Sequence, residues 1–170
     1  MRSYVLAAVL LPLTAPMGWA ACAPGQDARF HCSVKGGAKL VEVCHGGGVT
    51  QYSFGAAGKP AELALNDPIE TLDYTPWNGI GRSIYEEVAF ANGDYLYTVY
   101  AAYDRLVEGD DADRLSGGVV VTKADQTLAQ LECDAGSISH QLDAYYDDKL
   151  NAGQCWNFET FSWSSDCPSN

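Results

Sequence analysis

Apolar and polar positions alternate with period two along much of this chain, most clearly over residues 82–105. Ile84, Glu86, Val88 and Phe90 precede an Asn92-Gly93 dipeptide; Tyr95, Tyr97, Val99 and Ala101 follow it. Asn-Gly suits the two φ > 0 positions of a type I′ turn. With those two residues as the loop, Phe90 faces Tyr95, Val88 faces Tyr97, Glu86 faces Val99 and Ile84 faces Ala101. Seven of these eight are apolar or aromatic, and they share one face. The other face, with Tyr85, Glu87, Ala89, Leu96, Thr98 and Tyr100, is mixed. This contrast fixes an antiparallel hairpin with a defined inner side.

The same alternation predicts further strands at Arg29 to Val34, Lys39 to Cys44, Val49 to Phe54 and Ala61 to Leu65. Glycine-bearing turns at Lys35-Gly36-Gly37, His45 to Gly48 and Gly55 to Pro60 separate them. Asn66 to Gly79, broken by Pro68 and Pro76, reads as a long connection whose Ile69, Leu72, Tyr74 and Trp77 pack over the sheet as a lid. Asp104 to Ser116 reads as an acid-rich loop, and Gly117 to Thr122 with Thr127 to Cys133 as a last hairpin. After Cys133 the period changes. Leu142, Tyr146 and Leu150 recur at spacing four, predicting a helix over His140 to Leu150, capped by Ser139 and ended by Gly153. The fold class expected is mainly β: an antiparallel sandwich or small barrel of about eight strands with a short C-terminal helix.

The first twenty residues carry Arg2, an apolar run from Val5 to Leu13 and small residues at Gly18 and Ala20. That is the pattern of an export signal cut after Ala20. A membrane-spanning helix needs about 20 apolar residues, and this run is shorter and broken by Pro12 and Pro16. Residues 21–170 then form one disulfide-stapled β domain, of which 154–170 is a Cys-bracketed aromatic tail. The expected location is periplasmic or secreted. A lipid anchor at Cys22 fits badly, because Trp19 precedes it where small residues are needed. Loss of residues 1–20 removes Arg2 and no acid. The 10 basic and 22 acidic residues become nine and 22, a net of −13. Such a surface repels phosphate backbones, which argues against nucleic acid, and it suits a basic protein partner in the envelope.

Six cysteines remain: Cys22, Cys32, Cys44, Cys133, Cys155 and Cys167. An even count in an exported chain implies disulfides, and six allow fifteen full pairings. The spacing suggests Cys32 with Cys44 on neighbouring strands, Cys155 with Cys167, and Cys22 with Cys133. Cys44 with Cys133 is the alternative. There is no C-x-x-C, so neither a thioredoxin-like site nor a zinc ribbon is indicated.

The most site-like stretch is Trp77-Asn78-Gly79-Ile80-Gly81-Arg82. Gly79 and Gly81 allow close backbone approach and Arg82 could clamp a carboxylate. The plainer reading is a bend into the next strand, with Trp77 in the core and Arg82 paired to Glu87 or Asp104. It is not a dinucleotide fingerprint, since a third Gly is missing and a strand follows. Glu86, set among apolar neighbours, is a candidate acid if buried; a bulge at Glu86-Glu87 or an edge position would explain it without chemistry. Glu108, Asp110, Asp111 and Asp113 could gather a hard cation, but Ser116 stands where a calcium loop needs Gly, and a solvated loop is the plainer reading. His31 and His45 become neighbours beside Glu42 if the first strands pair, giving too few ligands for structural zinc. No serine lies in a nucleophile elbow, and no cofactor motif is present.

Several of these stretches, in this order, resemble a group of small exported proteins of Gram-negative bacteria whose function is unassigned. They are Phe30 and Cys32, LVEVC ending at Cys44, YSFG (52–55), KPAELAL (59–65), WNGIGR (77–82), ANGDYLYTVYAAYDR (91–105) and CDAGSI (133–138). The resemblance implies an exported β-rich domain and carries over no catalytic residue. In size, class and an early Cys the chain is also similar to periplasmic inhibitors of C-type lysozyme, without a counterpart of their inhibitory motif. The function expected is therefore an exported, non-enzymatic binding or envelope-associated protein, with WNGIGR as its candidate binding loop. The alternatives are a lysozyme-inhibitor-like protein, or a hydrolase using Glu86 and Arg82.

Overall fold

The computed structural model describes residues 22–124 and 126–167. The export signal read in residues 1–20 and the cut after Ala20 lie outside the described residues. Two five-stranded antiparallel sheets make up most of the fold. One is built from β1 (Asp27–Val34), β2 (Lys39–Gly46), β3 (Val49–Ala56), β4 (Leu63–Pro68) and the short β10 (Ser139–His140), in the order β10-β1-β2-β3-β4. The other runs β5-β6-β7-β8-β9, from β5 (Asp73–Thr75), β6 (Ser83–Asn92), β7 (Tyr95–Asp104), β8 (Leu115–Lys123) and β9 (Gln126–Glu132). The arrangement is a β sandwich. No helix among the described residues is long and apolar enough to cross a membrane.

Alternation builds the interior. Phe30, Cys32 and Val34 of β1, Val41 and Val43 of β2 and Tyr52 of β3 meet Val88 and Phe90 of β6, Val99 and Ala101 of β7 and Val119 of β8 in one cluster. Ile69, Leu72 and Tyr74 join it from the connection between the sheets, so those three residues pack down as their apolarity predicts. They do so partly as the strand β5, which the sequence reading missed. Tyr74 pairs with Val88 there.

The β6–β7 hairpin keeps its predicted inner face but not its predicted pairing. Asn92 pairs with Tyr95, Phe90 with Tyr97, Val88 with Val99 and Glu86 with Ala101. The loop is Gly93-Asp94, and Gly93 at φ 60° is the one loop residue with positive φ. A glycine in the first central position marks a type II′ turn, which asks nothing unusual of the second. Every partner therefore moves by two positions. Because side chains alternate with period two, the same residues still point inward.

At the other end of the sheet, Gly118 of β8 lies opposite Glu132 of β9. A Cβ added to Gly118 would stand 2.1 Å from the Leu131 carbonyl oxygen. Backbone must then move. Gly118→Ala is expected to cost about 1–3 kcal/mol, read as a lower urea midpoint.

The segment predicted as an acid-rich loop contains a one-turn helix, α1 (Asp111–Arg114), and the start of β8. Asp110 caps α1, accepting from the Ala112 and Asp113 amides at 3.1 and 3.3 Å. The C-terminal helix α2 (Ala144–Asn151) starts later than predicted. Ser139 does not cap it; it lies in β10, opposite His31. Gly153, at φ 79°, ends the helix as expected. Leu142 and Tyr145 enter the core. Arg29 fastens the helix to β1, donating to Asp148 Oδ2 at 2.8 Å beneath the Tyr145 ring.

Three disulfides are formed: Cys22–Cys44, Cys32–Cys133 and Cys155–Cys167. The last pairing is the expected one. Cys32–Cys44, Cys22–Cys133 and the alternative Cys44–Cys133 are corrected. Cys32 faces the core and lies opposite Val41. Cys44 is out of phase with Val41 and Val43 along β2, so it points to the opposite face of the sheet. Cys32 instead meets Cys133 just past β9, where Val34 and Cys133 bridge the two sheets. Cys22 closes onto Cys44, and the sulfur that a lipid anchor would use is consumed in that bond. Disulfides of this number form and persist in oxidising compartments outside the cytosol.

The tail folds as a small hairpin, β11 (Cys155–Asn157) and β12 (Ser162–Ser164). Trp156 and Trp163 pack inward, while Phe158 and Phe161 stay more than half exposed. Trp163 donates its indole N–H to the Tyr74 carbonyl at 2.7 Å and stacks on the Tyr74 ring.

Candidate functional site

β5 and the loop behind it, β6, β7, β10 and α2 converge on a cavity of about 480 Å³. Its walls are aromatic: Tyr74, Trp77, Tyr103 and Tyr146. Pro76 and Ile84 add apolar surface, and Glu86, His140 and Asp143 supply the charge-bearing groups.

Glu86 is the centre of it. It is only 7% exposed. The bulge reading does not hold, because β6 pairs with β7 in unbroken register through Glu86 and Glu87. On its other side β6 is covered by β5 only over residues 87–89, so Glu86 lies just where that edge opens, as the edge reading has it. The Tyr74 hydroxyl donates to Glu86 Oε1 at 2.7 Å, the one hydrogen bond this carboxyl makes among the described residues. Burial raises the Glu86 pKa above its usual 4.5, and the nearby Asp143 carboxylate adds to the rise; the Tyr74 bond opposes it.

A raised carboxyl pKa makes the folded chain hold a proton that the unfolded chain has released. Stability therefore falls as pH climbs from the ordinary carboxylate range through the raised value. Glu86→Gln keeps an acceptor for Tyr74 and has no proton to lose. The variant is expected to melt higher than the parent at pH 7, by about 2–4 °C for each kcal/mol recovered. The gap should close below pH 4.5; thermal scans across pH check it.

His140 sits in β10 with its Nδ1 buried and without a partner among the described residues. Burial lowers its pKa, so it is neutral at pH 7, with Asp143 pulling the other way. Asp143 is exposed at the start of α2, and its side chain makes no cap bond there. Burial also pushes the Tyr74 hydroxyl far above its usual range, helped by the Glu86 carboxylate, so it stays a donor.

The loop read as WNGIGR forms one wall of this cavity through Trp77 alone. The loop holds its own shape. The Trp77 indole N–H donates to the Ile80 carbonyl at 3.1 Å, and Asn78 Oδ1 accepts from the Ile80 amide at 3.0 Å. Gly79 and Gly81 take φ of 80° and 99°, a region closed to most other residues. Arg105 lies over the Trp77 ring and donates to the Gly81 and Arg82 carbonyls. Arg82 does not line the cavity. Its guanidinium holds Asp104 in a two-point bridge, Nε to Oδ1 at 2.7 Å and Nη2 to Oδ2 at 2.6 Å. Of the two paired acids named for it, Asp104 is the one used.

The remaining candidates are spread out. His31 faces Glu42 across β1 and β2, its Nδ1 3.4 Å from the carboxylate. His45 lies near the other end of β2, against Thr50 at 2.9 Å and Asp148 at 3.9 Å, so the two histidines have separate partners. Among the described residues no three His, Cys, Asp or Glu side chains converge as a metal requires.

One buried charge had no counterpart in the sequence reading. Lys149 of α2 is 1% exposed; its ammonium donates to the Ile69 carbonyl at 3.1 Å and to Gln154 Oε1 at 2.9 Å, and lies over the Trp163 ring. Burial pulls its pKa down to about 8. It binds the tail to the sheet connection and does not itself line the cavity.

Comparison with protein-family models, with curated proteins and with solved structures finds no match to this chain.

Proposed function

We propose that this protein is a non-enzymatic binding module of the periplasm or the extracellular space, and that its ligand site is the aromatic cavity around Glu86. The carrying observation is the make-up of the cavity wall. Four aromatic rings surround two carboxyls and a neutral imidazole, with no Ser, Thr, Cys or Lys nucleophile among the lining residues. Concave, mostly apolar sites with a few converging polar groups are what small ligands use. The disulfides and the rigid sheets behind the site support pre-organisation. The acidic balance of the chain, −12, adds attraction for basic ligands and partners.

A hydrolase with Glu86 as its acid has the burial of that carboxyl in its favour. Its proposed helper, Arg82, is outside the cavity and held by Asp104. A lysozyme-inhibitor-like role has the acidic surface behind it and makes no use of the cavity.

The test is fragment screening by two-dimensional NMR on the purified oxidised protein, with cyclic amines, neutral rings and aromatic acids at millimolar concentration. Shifts concentrated at Trp77, Tyr103, His140 and Tyr146 are expected. A panel that moves none of these resonances, or moves only the tail, overturns the assignment.

A further inference from the structure

Resting on that reading of the cavity, we propose that the ligand is an organic ammonium cation, held by the four aromatic walls and the Glu86–Asp143 carboxyl pair.

The argument starts from charge. The nine lining residues include two carboxyls and no lysine or arginine. Asp143 sits close enough to act on Glu86, Tyr74 and His140 alike, so the carboxyls share one field. A cation entering between them relieves the repulsion that an anion would worsen. Two positive groups that touch the walls are already occupied. Arg105 is spent on Trp77 and on the Gly81 and Arg82 carbonyls. Arg114 donates to the Tyr103 hydroxyl at 3.1 Å.

The second line is shape and chemistry. A bare metal ion needs several close oxygen or nitrogen ligands, and the described residues offer no such group. An alkylammonium asks for the reverse: ring faces that attract spread positive charge, with one or two carboxylates at longer range. Tyr74, Trp77, Tyr103 and Tyr146 supply those rings, drawn from three separate stretches of the chain. Tyr74 and Tyr146 are set from behind by Trp163, at ring distances of 6.1 and 5.3 Å, so the cage stands before any ligand arrives.

The third line is what remains unsatisfied. The Tyr74 hydroxyl engages one oxygen of Glu86. The buried Nδ1 of His140 has no partner among the described residues. A ligand that carries a hydroxyl or ester beside its ammonium could satisfy that imidazole while the charge sits among the rings.

The experiment compares choline with 3,3-dimethylbutan-1-ol, which has the same shape and no charge, by NMR titration of the full oxidised protein. Choline is expected to bind at least tenfold more tightly, with shifts at Trp77, Tyr103 and Tyr146. Glu86→Gln and Asp143→Asn, the latter at an exposed position, are each expected to erase most of that preference while both proteins stay folded. Equal affinity for the two compounds overturns the cation assignment and leaves the cavity as a binding site. Absence of cavity shifts with both compounds and with the neutral and acidic fragments removes the site and the cation together.

Discussion

The double variant Cys32→Ala/Cys133→Ala is expected to lose about 4–5 kcal/mol of unfolding free energy. The two cysteines are 101 residues apart in sequence. In the chain-entropy account, a cross-link closing about 100 residues restrains the unfolded chain by close to 4.7 kcal/mol. Domains of this size have about 5–15 kcal/mol in total, so the loss approaches the stability of the fold. The bond also joins β1 to the end of β9, where Val34 and Cys133 bridge the sheets. Asp134 reinforces the corner, accepting from the Ser33 hydroxyl and from the Gly36 and Gly37 amides at 2.7–2.8 Å. Opening the tail bond by Cys155→Ala/Cys167→Ala, with a separation of 12, is expected to cost about 3 kcal/mol or less. Urea titrations of both double variants under oxidising conditions make the comparison. A Cys32/Cys133 variant no weaker than the tail variant would contradict the assigned pairing.

Tyr74→Ala is expected to cost about 3–5 kcal/mol, the range for emptying a large aromatic site in a core. Tyr74 is 1% exposed and touches most of what matters here. Its ring packs against Tyr145 and Trp163, and its hydroxyl holds Glu86. Truncation leaves a void between the sheets and a buried carboxyl without its donor. Tyr74→Phe separates the two effects. It keeps the ring and is expected to cost about 1–3 kcal/mol, the penalty for an orphaned buried acceptor. It should also push the Glu86 pKa higher, since the bond that lowers it is gone. Urea denaturation of both variants, with pH titration of the Phe variant by NMR, checks the pair. A Tyr74→Ala cost below 1 kcal/mol would mean that the residue is not the hub described.

Much of the fold was legible because alternation is a local signal. β1, β2, β3, β6, β7, β8 and β9 can each be read from runs in which every second residue is apolar. β5 could not. Three residues between Pro68 and Pro76 are too few to show a period, and their place is set by pairing with β6. Ser139 looked like a helix cap because a hydroxyl before an apolar spacing usually is one. It pairs with His31 instead, and the helix waits until Ala144. The disulfides of Cys32 and Cys44 were misread because nearness in sequence was weighed above the face each side chain takes.

The candidate site was legible at a single residue. Glu86 stood out as an acid on an apolar face, a contradiction that local rules can detect. Tyr103, His140, Asp143 and Tyr146 gave no such sign. Each is ordinary in its own segment, and only the packing of α2 and β10 against β6 and β7 brings them to Glu86. Lys149 was hidden for the same reason: its position on α2 faces the tail hairpin, whose location no spacing reveals.

The two-position shift in the β6–β7 pairing bears on how such a chain tolerates change over evolutionary time. Its inner face survives any slippage that moves partners by an even number. A slip of one position would instead turn one whole strand inside out and carry Glu86 to the wrong side of the sheet, whereas an extra residue in the turn itself lengthens the loop and leaves the pairing as it is.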